Sequence, residues 1–346
     1  MKKLKIVVTA CGCPGASTLI RMLKKNGERD IEIIGVDMDN QAIGRFLTEK
    51  FYQVPAGHTE EFIEEMLDIT RKESPDIIFP ESSNEVYNLA CNKNSFEQLG
   101  TKVIVSDPEA IETANNKYKM YEVLGKNTNI DLPAYRLANS MDNVIKAIED
   151  LGYPDNPIIF KPPVGKGSRG VRIIDSSINR RDHLLLEKPT SKYMSLNEFQ
   201  EIFSQDDDFP PLLVMEFLKG REYTADSISL HSKALLTTIK TVEQARWGVI
   251  VKGELVNNMD LVRQAAEILR AIPLSYCSNI QFIGDKLIEI NPRVSSFIYQ
   301  DNLIAPYVSI KLALGEISPE EVITMNSRID YGRRMVRYMD QVFFTE

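Results

Sequence analysis

The chain has 346 residues, 43% of them apolar and 26% charged, with a formal net charge of −8. That is enough for a sizeable core in two or three domains, and too acidic for a general nucleic-acid binder, which usually carries a basic surface. No apolar run approaches the roughly 20 residues that cross a bilayer, and four cysteines with three scattered histidines supply neither a disulfide framework nor a zinc constellation. The short apolar run after the basic start of MKKLKIVVTACG reads as a strand rather than a secretory leader, so the expected compartment is a reducing cytoplasm.

Along the chain, LKIVVT (4–9) forms a buried strand, followed by the turn ACGCPGAS, a helix and a second strand, IEIIGVD. PDIIFP (75–80) and KVIVSD (102–107) repeat the strand pattern with helical segments between, which predicts a parallel α/β sheet. Gly12 and Gly15 after the first strand, with Asp37 closing the second, suggest a dinucleotide-binding turn. Pro14 stands where the middle glycine belongs, which favours a tight βα turn that binds no dinucleotide. FPESSNEV (79–86) follows the carboxyl end of a parallel strand, where α/β sheets commonly bind ligands. Glu81, Ser82 and Asn84 therefore read either as ligand contacts or as part of a helix cap made by Ser83 or Asn84.

The pattern changes near residue 113. NNKYKMYEVLGK is helical, and PIIFKPPVGKGSRGVRII (157–174) reads as a strand, a Gly/Pro loop and a strand. Gly165, Gly167 and Gly170 let main-chain N–H groups approach an anion, Ser168 adds a hydroxyl, and Lys161 adds a point charge. The alternative is a hairpin tip with solvated charges. VGKGSRG lacks the spacing of a Walker loop. The acidic, Pro-bounded QDDDFPPLL (205–213) marks a second boundary. In LLVMEFLKGREYTAD (212–226) an apolar strand runs into Glu216, then an apolar hinge at Phe217 and Leu218, with Glu222 as a carboxylate acceptor for a ribose. A strand, a turn and a strand with no ligand fit that stretch equally. A helix near 260–272 is stopped by Pro273, and no internal repeat or low-complexity tract interrupts the chain.

NIQFIGDKLIEINPRVSS (279–296) reads as a β-hairpin turning at Gly284-Asp285. Alternation puts Leu287, Glu289 and Asn291 on one face and Ile288 and Ile290 on the other. Gln281 joins the Glu289 face if a three-residue loop, 284 to 286, pairs 281 with 289. Three oxygen donors on one face suit Mg²⁺, which prefers carboxylate and carbonyl oxygens, and Arg293 just beyond is placed to stabilise charge on a transferring phosphoryl group. The alternative is a salt-bridged edge strand.

With NNKYKMYEVL, FKPPVGKGSRGV, VMEFLKGREYTAD and SNIQFIGDKLIEINPRVSS in this order, the chain resembles the ATP-grasp superfamily, most closely one ATP-grasp half of the carbamoyl phosphate synthase large chain. The resemblance implies a Rossmann-like pre-ATP-grasp α/β domain (1–113) and a two-lobed α+β ATP-grasp fold. Its small lobe, with a glycine-rich lid, would span 114–210, and its C-terminal lobe, with the Mg-binding hairpin, 211–346. It implies that Lys117 and Lys161 contact ATP phosphates and that the 165–170 loop closes over them. Glu216, Phe217 and Leu218 would hold adenine, Glu222 the ribose, and Gln281, Glu289 and Asn291 the Mg²⁺, for which Mn²⁺ is a substitute. Two features depart from the family: Asn116 replaces an acid before the first lysine, and QARWGVIVKGEL has no counterpart of the synthase's histidine-containing segment.

The expected activity is an ATP-dependent carboxylate–amine ligase working through an acyl phosphate, with Arg293 on that intermediate. Lys240, Arg246, Glu81, Ser82 and Asn84 are acceptor-site candidates. The alternatives are bicarbonate or carbamate phosphorylation, an NAD-linked oxidoreductase, and a non-catalytic nucleotide-binding subunit. Expected partners are small-molecule carboxylates and amines, with no nucleic acid or membrane; a homodimer is left open.

Overall fold

The structure is a computed structural model that describes residues 3–165, 169–188, 191–204, 208–246, 249–295 and 297–345. Gly167 and Ser168, expected in the phosphate loop, lie outside the described residues.

The N-terminal part comprises β1 (Leu4–Val8), α1 (Ala16–Lys24), β2 (Ile31–Asp37), β3 (Lys50–Gln53), α2 (Glu60–Glu73), β4 (Ile77–Phe79), α3 (Val86–Cys91), α4 (Lys93–Gln98) and β5 (Lys102–Val103). The strands are parallel in the order β3-β2-β1-β4-β5. Their near-continuous apolar runs follow from burial on both faces. One face packs with α1, and the other with α2 and α3. From β1 the chain first builds outward through β2 and β3, then returns to place β4 on the other side. The carboxyl ends of β1 and β4 therefore open a crevice where the strand order reverses.

Two helices, α5 (Pro108–Asn115) and α6 (Lys117–Asn127), lead into the middle part. The boundary expected at residue 113 falls inside α5. Ile111 packs against the N-terminal sheet while Ala110 and Ala114 pack against the last one, so the helix is shared by two cores.

The middle part holds β6 (Tyr135–Ala138), α7 (Met141–Asp150), β7 (Ile158–Lys161), β8 (Arg172–Ile174), α8 (Arg180–Leu186), β9 (Tyr193–Met194), α9 (Leu196–Phe203) and β10 (Leu212–Glu216). Its sheet runs β6-β10-β7-β8-β9. Strand β10 inserts antiparallel between β6 and β7. The expected boundary at residue 210 is therefore one strand too early: the Pro-bounded acidic stretch precedes the strand that completes this sheet.

The last part holds β11 (Glu222–Leu230), β12 (Lys233–Thr241), β13 (Gln244–Arg246), β14 (Val249–Val256), α10 (Met259–Ala271), β15 (Tyr276–Ile283), β16 (Lys286–Asn291), α11 (Ala305–Ala313), α12 (Pro319–Thr324) and β17 (Arg334–Val336). Its sheet runs β13-β14-β12-β11-β15-β16, with β17 on β14. One apolar core joins this part to the N-terminal sheet: Leu4, Ile6 and Ile33 pack in the same cluster as Leu236, Ile310 and Val322. The middle sheet keeps its own core around Phe160, Phe199 and Val214.

Candidate active site

The hairpin β15–β16 pairs Gln281 with Glu289 and Asn279 with Asn291. The pairing comes about differently from the expected three-residue loop. Ile283 pairs with Lys286 across a two-residue Gly284-Asp285 turn, and a β-bulge between Gln281 and Phe282 takes up Ile288. The bulge also corrects the parity: Leu287 pairs with Phe282 in the core beside Ile290, and does not share the Glu289 face. The main-chain oxygen of Ile288, displaced from the ladder, accepts from Lys161 Nζ at 3.4 Å and from the Tyr121 hydroxyl at 3.2 Å.

Behind this face lies a buried polar chain that the sequence reading missed. Lys240, fully buried, is paired with Asp226. Burial pushes the Asp226 carboxyl up and pulls the Lys240 ammonium down, and their contact opposes both shifts. Asn279 Nδ2 donates to Asp226 Oδ1 at 2.8 Å, and Gln281 Nε2 donates to Asn279 Oδ1 at 3.1 Å. An ionised carboxylate only accepts, so Asn279 must present its NH₂ to Asp226 and its oxygen to Gln281. Gln281 is thereby left with its oxygen as the outward donor to a cation. The residues present thus fit Mg²⁺: one carboxylate and two amide oxygens, one of them oriented by a buried acid. Asn279 was legible from its i, i+2 spacing to Gln281, and Asp226 from an acid inside the strand TADSISL.

Lys117 opens α6, whose first turn is capped by Asn116: its side-chain oxygen accepts from the N–H groups of Tyr118 and Lys119 at 3.1 Å each. The asparagine thus has a capping role that an acid would also fill. Lys117 Nζ is buried, 3.1 Å from Gly165 O and 3.4 Å from Glu289 Oε2. It links the glycine loop to the metal face. Lys161 ends β7; burial, with Lys117 nearby, pulls its ammonium down to about 8. Gly170 has φ +73°, and a Cβ there would lie 2.7 Å from Pro162 Cδ, so only glycine fits at this return of the hairpin.

Glu216 ends β10. Its carboxylate accepts from Lys286 Nζ at 2.6 Å and from Ala134 N–H at 2.9 Å. Burial acts to raise its pKa, but these two donors outweigh it and hold the group below its ordinary value. Phe217 and Leu218 are half-buried in the connection to β11, and Glu222 opens that strand, pushed up by burial.

The crevice between β1 and β4 holds two carboxyls. Glu81 is 7% exposed and Glu85 4% exposed, and burial pushes them up to about 8 and about 7 respectively. Glu85 accepts from the Thr9 hydroxyl and from Ser82 N–H. Asn84 N–H donates to Ser82 Oγ at 3.2 Å. The helix-cap reading fails, because α3 starts after Glu85 with no side-chain cap. Cys13, in the facing turn, is pushed up to about 12 by burial and the two acids. Arg293 reaches this crevice from the hairpin, its Nε donating to Ser83 Oγ at 2.8 Å. It joins the metal face to Glu81, whose charge it favours. Asp37 is engaged by its own turn, accepting from Gly12 N–H at 2.7 Å and Asp39 N–H at 3.0 Å, which removes the acid that a dinucleotide ribose needs. Two acceptor candidates are not brought to the crevice: Lys240 is enclosed by its pairing with Asp226, and Arg246 is exposed at the end of β13.

Residues 208–334 match the family model described as ATP-grasp in the biosynthetic pathway with Ter operon, and residues 6–104 match the PylC-like N-terminal domain. The carbamoyl phosphate synthase large chain of Clostridium acetobutylicum is 23% identical over 78% of this chain and 24% of its own length. That of Clostridium botulinum strain Kyoto is 24% identical over 91% of this chain and 27% of its own. The chain thus spans about a quarter of these relatives. Among solved structures, N5-carboxyaminoimidazole synthetase from Staphylococcus aureus complexed with ADP has a TM-score of 0.60 at 14% identity, covering 93% of this chain and 76% of that one. Biotin carboxylase from Campylobacter jejuni complexed with β,γ-ATP has a TM-score of 0.63 at 17% identity, covering 92% and 72%. At such identities these two establish the fold alone. The two family matches and the curated relatives together support an ATP-grasp protein that resembles a single carbamoyl-phosphate-synthase-like unit.

Proposed function

We propose that the protein is an ATP-dependent carboxylate–amine ligase. A carboxylate oxygen of the acid substrate attacks the γ-phosphorus of ATP and ADP leaves. The amine nitrogen then attacks the acyl carbon, phosphate leaves, and the nitrogen gives up a proton. The observation that most supports this reading is the face formed by Gln281, Glu289 and Asn291, with Lys117 reaching from Glu289 to the glycine loop.

In this reading Lys117 and Lys161 hold the phosphates, with Gly165 and Gly170 in the loop beside them. Glu216, Phe217 and Leu218 line the adenine position and Glu222 takes the ribose. Mg²⁺, held by Gln281, Glu289 and Asn291, would supply charge neutralisation at the β- and γ-phosphates. Arg293 stabilises the charge that builds on the transferred group. Glu81, with Ser82 and Asn84 nearby, faces the acceptor side; its pKa of about 8 suits proton transfer from an attacking amine near neutral pH.

The test is ADP release with Mg-ATP over a panel of carboxylates and amines, bicarbonate and ammonia included. Release that requires both an acid and an amine is the expected result. Mg-ATP binding with no ADP release for any pair would favour a non-catalytic nucleotide-binding subunit.

A further inference from the structure

Away from the nucleotide side, residues of the segment 333–342 and of the start of α1 line an open cavity of about 480 Å³, within the range of small-molecule sites. Its apolar lining includes Phe297 and Ile298, both buried, and the exposed Val336. Its walls carry four arginines. Two of these are already neutralised: Arg333 pairs with Asp301 and Asp330, and Arg334 with Glu243 and Glu254. Arg21 and Arg337 differ. Among the described residues, Arg21 donates only to the main-chain oxygen of Ser17, at 3.3 Å. Arg337 donates to the main-chain oxygens of Pro14, at 2.9 Å, and Ile250, at 3.4 Å. Neither makes an ion pair with a carboxylate there. Asp340 also lines the cavity, where one of its oxygens accepts from Gln341 N–H at 2.8 Å.

Two guanidinium groups sharing one cavity repel each other unless an anion sits with them. Burial holds Arg337 below its ordinary value; Tyr299 and Glu81 oppose that shift, and Arg21 makes a smaller contribution in the same direction as burial. Ser17 and Thr18, in the first turn of α1, complete the polar wall. The cavity also adjoins the acidic crevice. Pro14 belongs to the turn that sets Gly15 against Glu81 (an added Cβ there would lie 3.5 Å from Glu81 Oε2), and Arg337 acts electrostatically on Glu81.

We propose that this cavity is an anion site that takes a carboxylate or phosphate group borne by the acceptor substrate, with Arg21 and Arg337 as its cationic ligands. The reacting end of that substrate would then extend past Glu81 toward Arg293. The anion site stands on the cavity and the two arginines. Calling its ligand the acceptor rests on the ligase reading.

The test titrates inorganic phosphate and succinate, separately, into the whole protein by calorimetry, with ionic strength held constant by chloride. Saturable binding of at least one is expected, and the tighter of the two identifies the group recognised. Arg21→Ala, an exposed position whose loss leaves the fold intact, should weaken it at least tenfold. Ser17→Glu, which places a carboxylate in the cavity, should do the same, and Mg-ATP affinity should not change in either variant. No saturable binding of either anion, or binding unaltered in both variants, would overturn the site. With an acceptor found in the ADP-release panel, the bound anion should compete with the acceptor and not with Mg-ATP. Binding that is lost in the variants but does not compete overturns the acceptor assignment alone. No ADP release with any acceptor overturns the ligase reading and that assignment together, while the titrations still decide the anion site.

Discussion

Lys161 carries the sharpest pH signature in the nucleotide site. Its pKa, pulled from 10.5 to about 8, means that the nucleotide-free protein releases this proton near pH 8 while the unfolded chain holds it to about 10.5. The charged form is therefore disfavoured in the fold, and stability contributed by this group declines as pH falls from 10.5 toward 8. Binding a polyphosphate reverses the preference, since the partner is an anion. Mg-ATP affinity should accordingly weaken as pH rises above about 8, by up to roughly tenfold per unit, and Lys161→Arg should flatten that dependence because a guanidinium stays charged. A pH-independent affinity in the wild type from 7 to 9.5, measured by calorimetry, would count against a phosphate contact. Arg293 should behave otherwise. If it meets charge that appears only during transfer, Arg293→Ala should lower kcat by about 10²–10³ with little change in nucleotide affinity. Lys161→Ala should instead raise the Kd for Mg-ATP, because its partner is present in the ground state. Equal effects of both variants on KM for ATP, with kcat unchanged, would make Arg293 a binding residue.

Among the elements, the β15–β16 hairpin decides how the site is built, and the bulge at Ile288 is its working part. With a two-residue turn and no bulge, residue 281 would oppose 288 and Glu289 would point into the core. The extra residue restores the pairing of Gln281 with Glu289 and frees the Ile288 carbonyl for Lys161 and Tyr121. Deleting Ile288 should leave a regular hairpin with Leu287 and Ile290 still inward and Glu289 and Asn291 still outward. The variant is expected to fold, with Mg²⁺-dependent ATP binding retained but weakened severalfold, because Lys161 loses its anchor. Complete loss of nucleotide binding in a folded variant, judged by circular dichroism and calorimetry, would mean that the bulge sets more than this anchor. The hairpin also marks how far the sequence could be read. Gly284-Asp285 and the spacing of Gln281, Glu289 and Asn291 were enough to place three donors together. A three-residue loop and a two-residue turn with a bulge yield the same pairing of 281 with 289, so spacing alone could not separate them; the burial of Leu287 does. Strand β10 was misplaced for a related reason: its partners β6 and β7 are antiparallel neighbours distant in sequence, and a Pro-bounded acidic run says nothing about which sheet the following strand enters. Long-range partners were the least legible of all. Nothing local connects Arg337 to Glu81, or Arg293 to Ser83.

Across the whole molecule, the cores divide the chain unequally. The N-terminal sheet and the last sheet share one apolar cluster. They are further tied by Arg29 with Glu316 and by Lys311 with Glu28, the latter at 2.8 Å, and Tyr307 adds a hydrogen bond from Arg29 Nε at 2.9 Å. Two parts joined through a common core move apart only at the cost of exposing it. The middle sheet has no share in that cluster; its own core draws only on residues between 138 and 214. On its other face Leu213 and Met215 of β10 pack in a second apolar cluster with Ala225, Ile280 and Phe282 of the last sheet, and polar contacts are added around the nucleotide residues: Lys161 to Ile288 O, Lys286 to Glu216, and Lys117 to Gly165 O. Strand β10 is thus held by apolar packing, whereas the end of β7 and the loop after it meet the rest through polar contacts that cost little to exchange, so β7, β8 and their loop are the part expected to close on a bound nucleotide. Hydrogen exchange read by mass spectrometry should therefore slow on adding Mg-ATP in peptides covering β7, β8 and the connection 217–221. Peptides from β1, β2 and α11 should exchange at the same rate with and without nucleotide. Glu289→Gln, which removes the one formal charge of the metal face, should abolish the Mg²⁺-dependent part of that slowing. Slowing spread evenly over β1, β2 and α11 would mean that the shared core rearranges on binding, and no change in β7 and β8 would remove the middle sheet from the nucleotide site altogether.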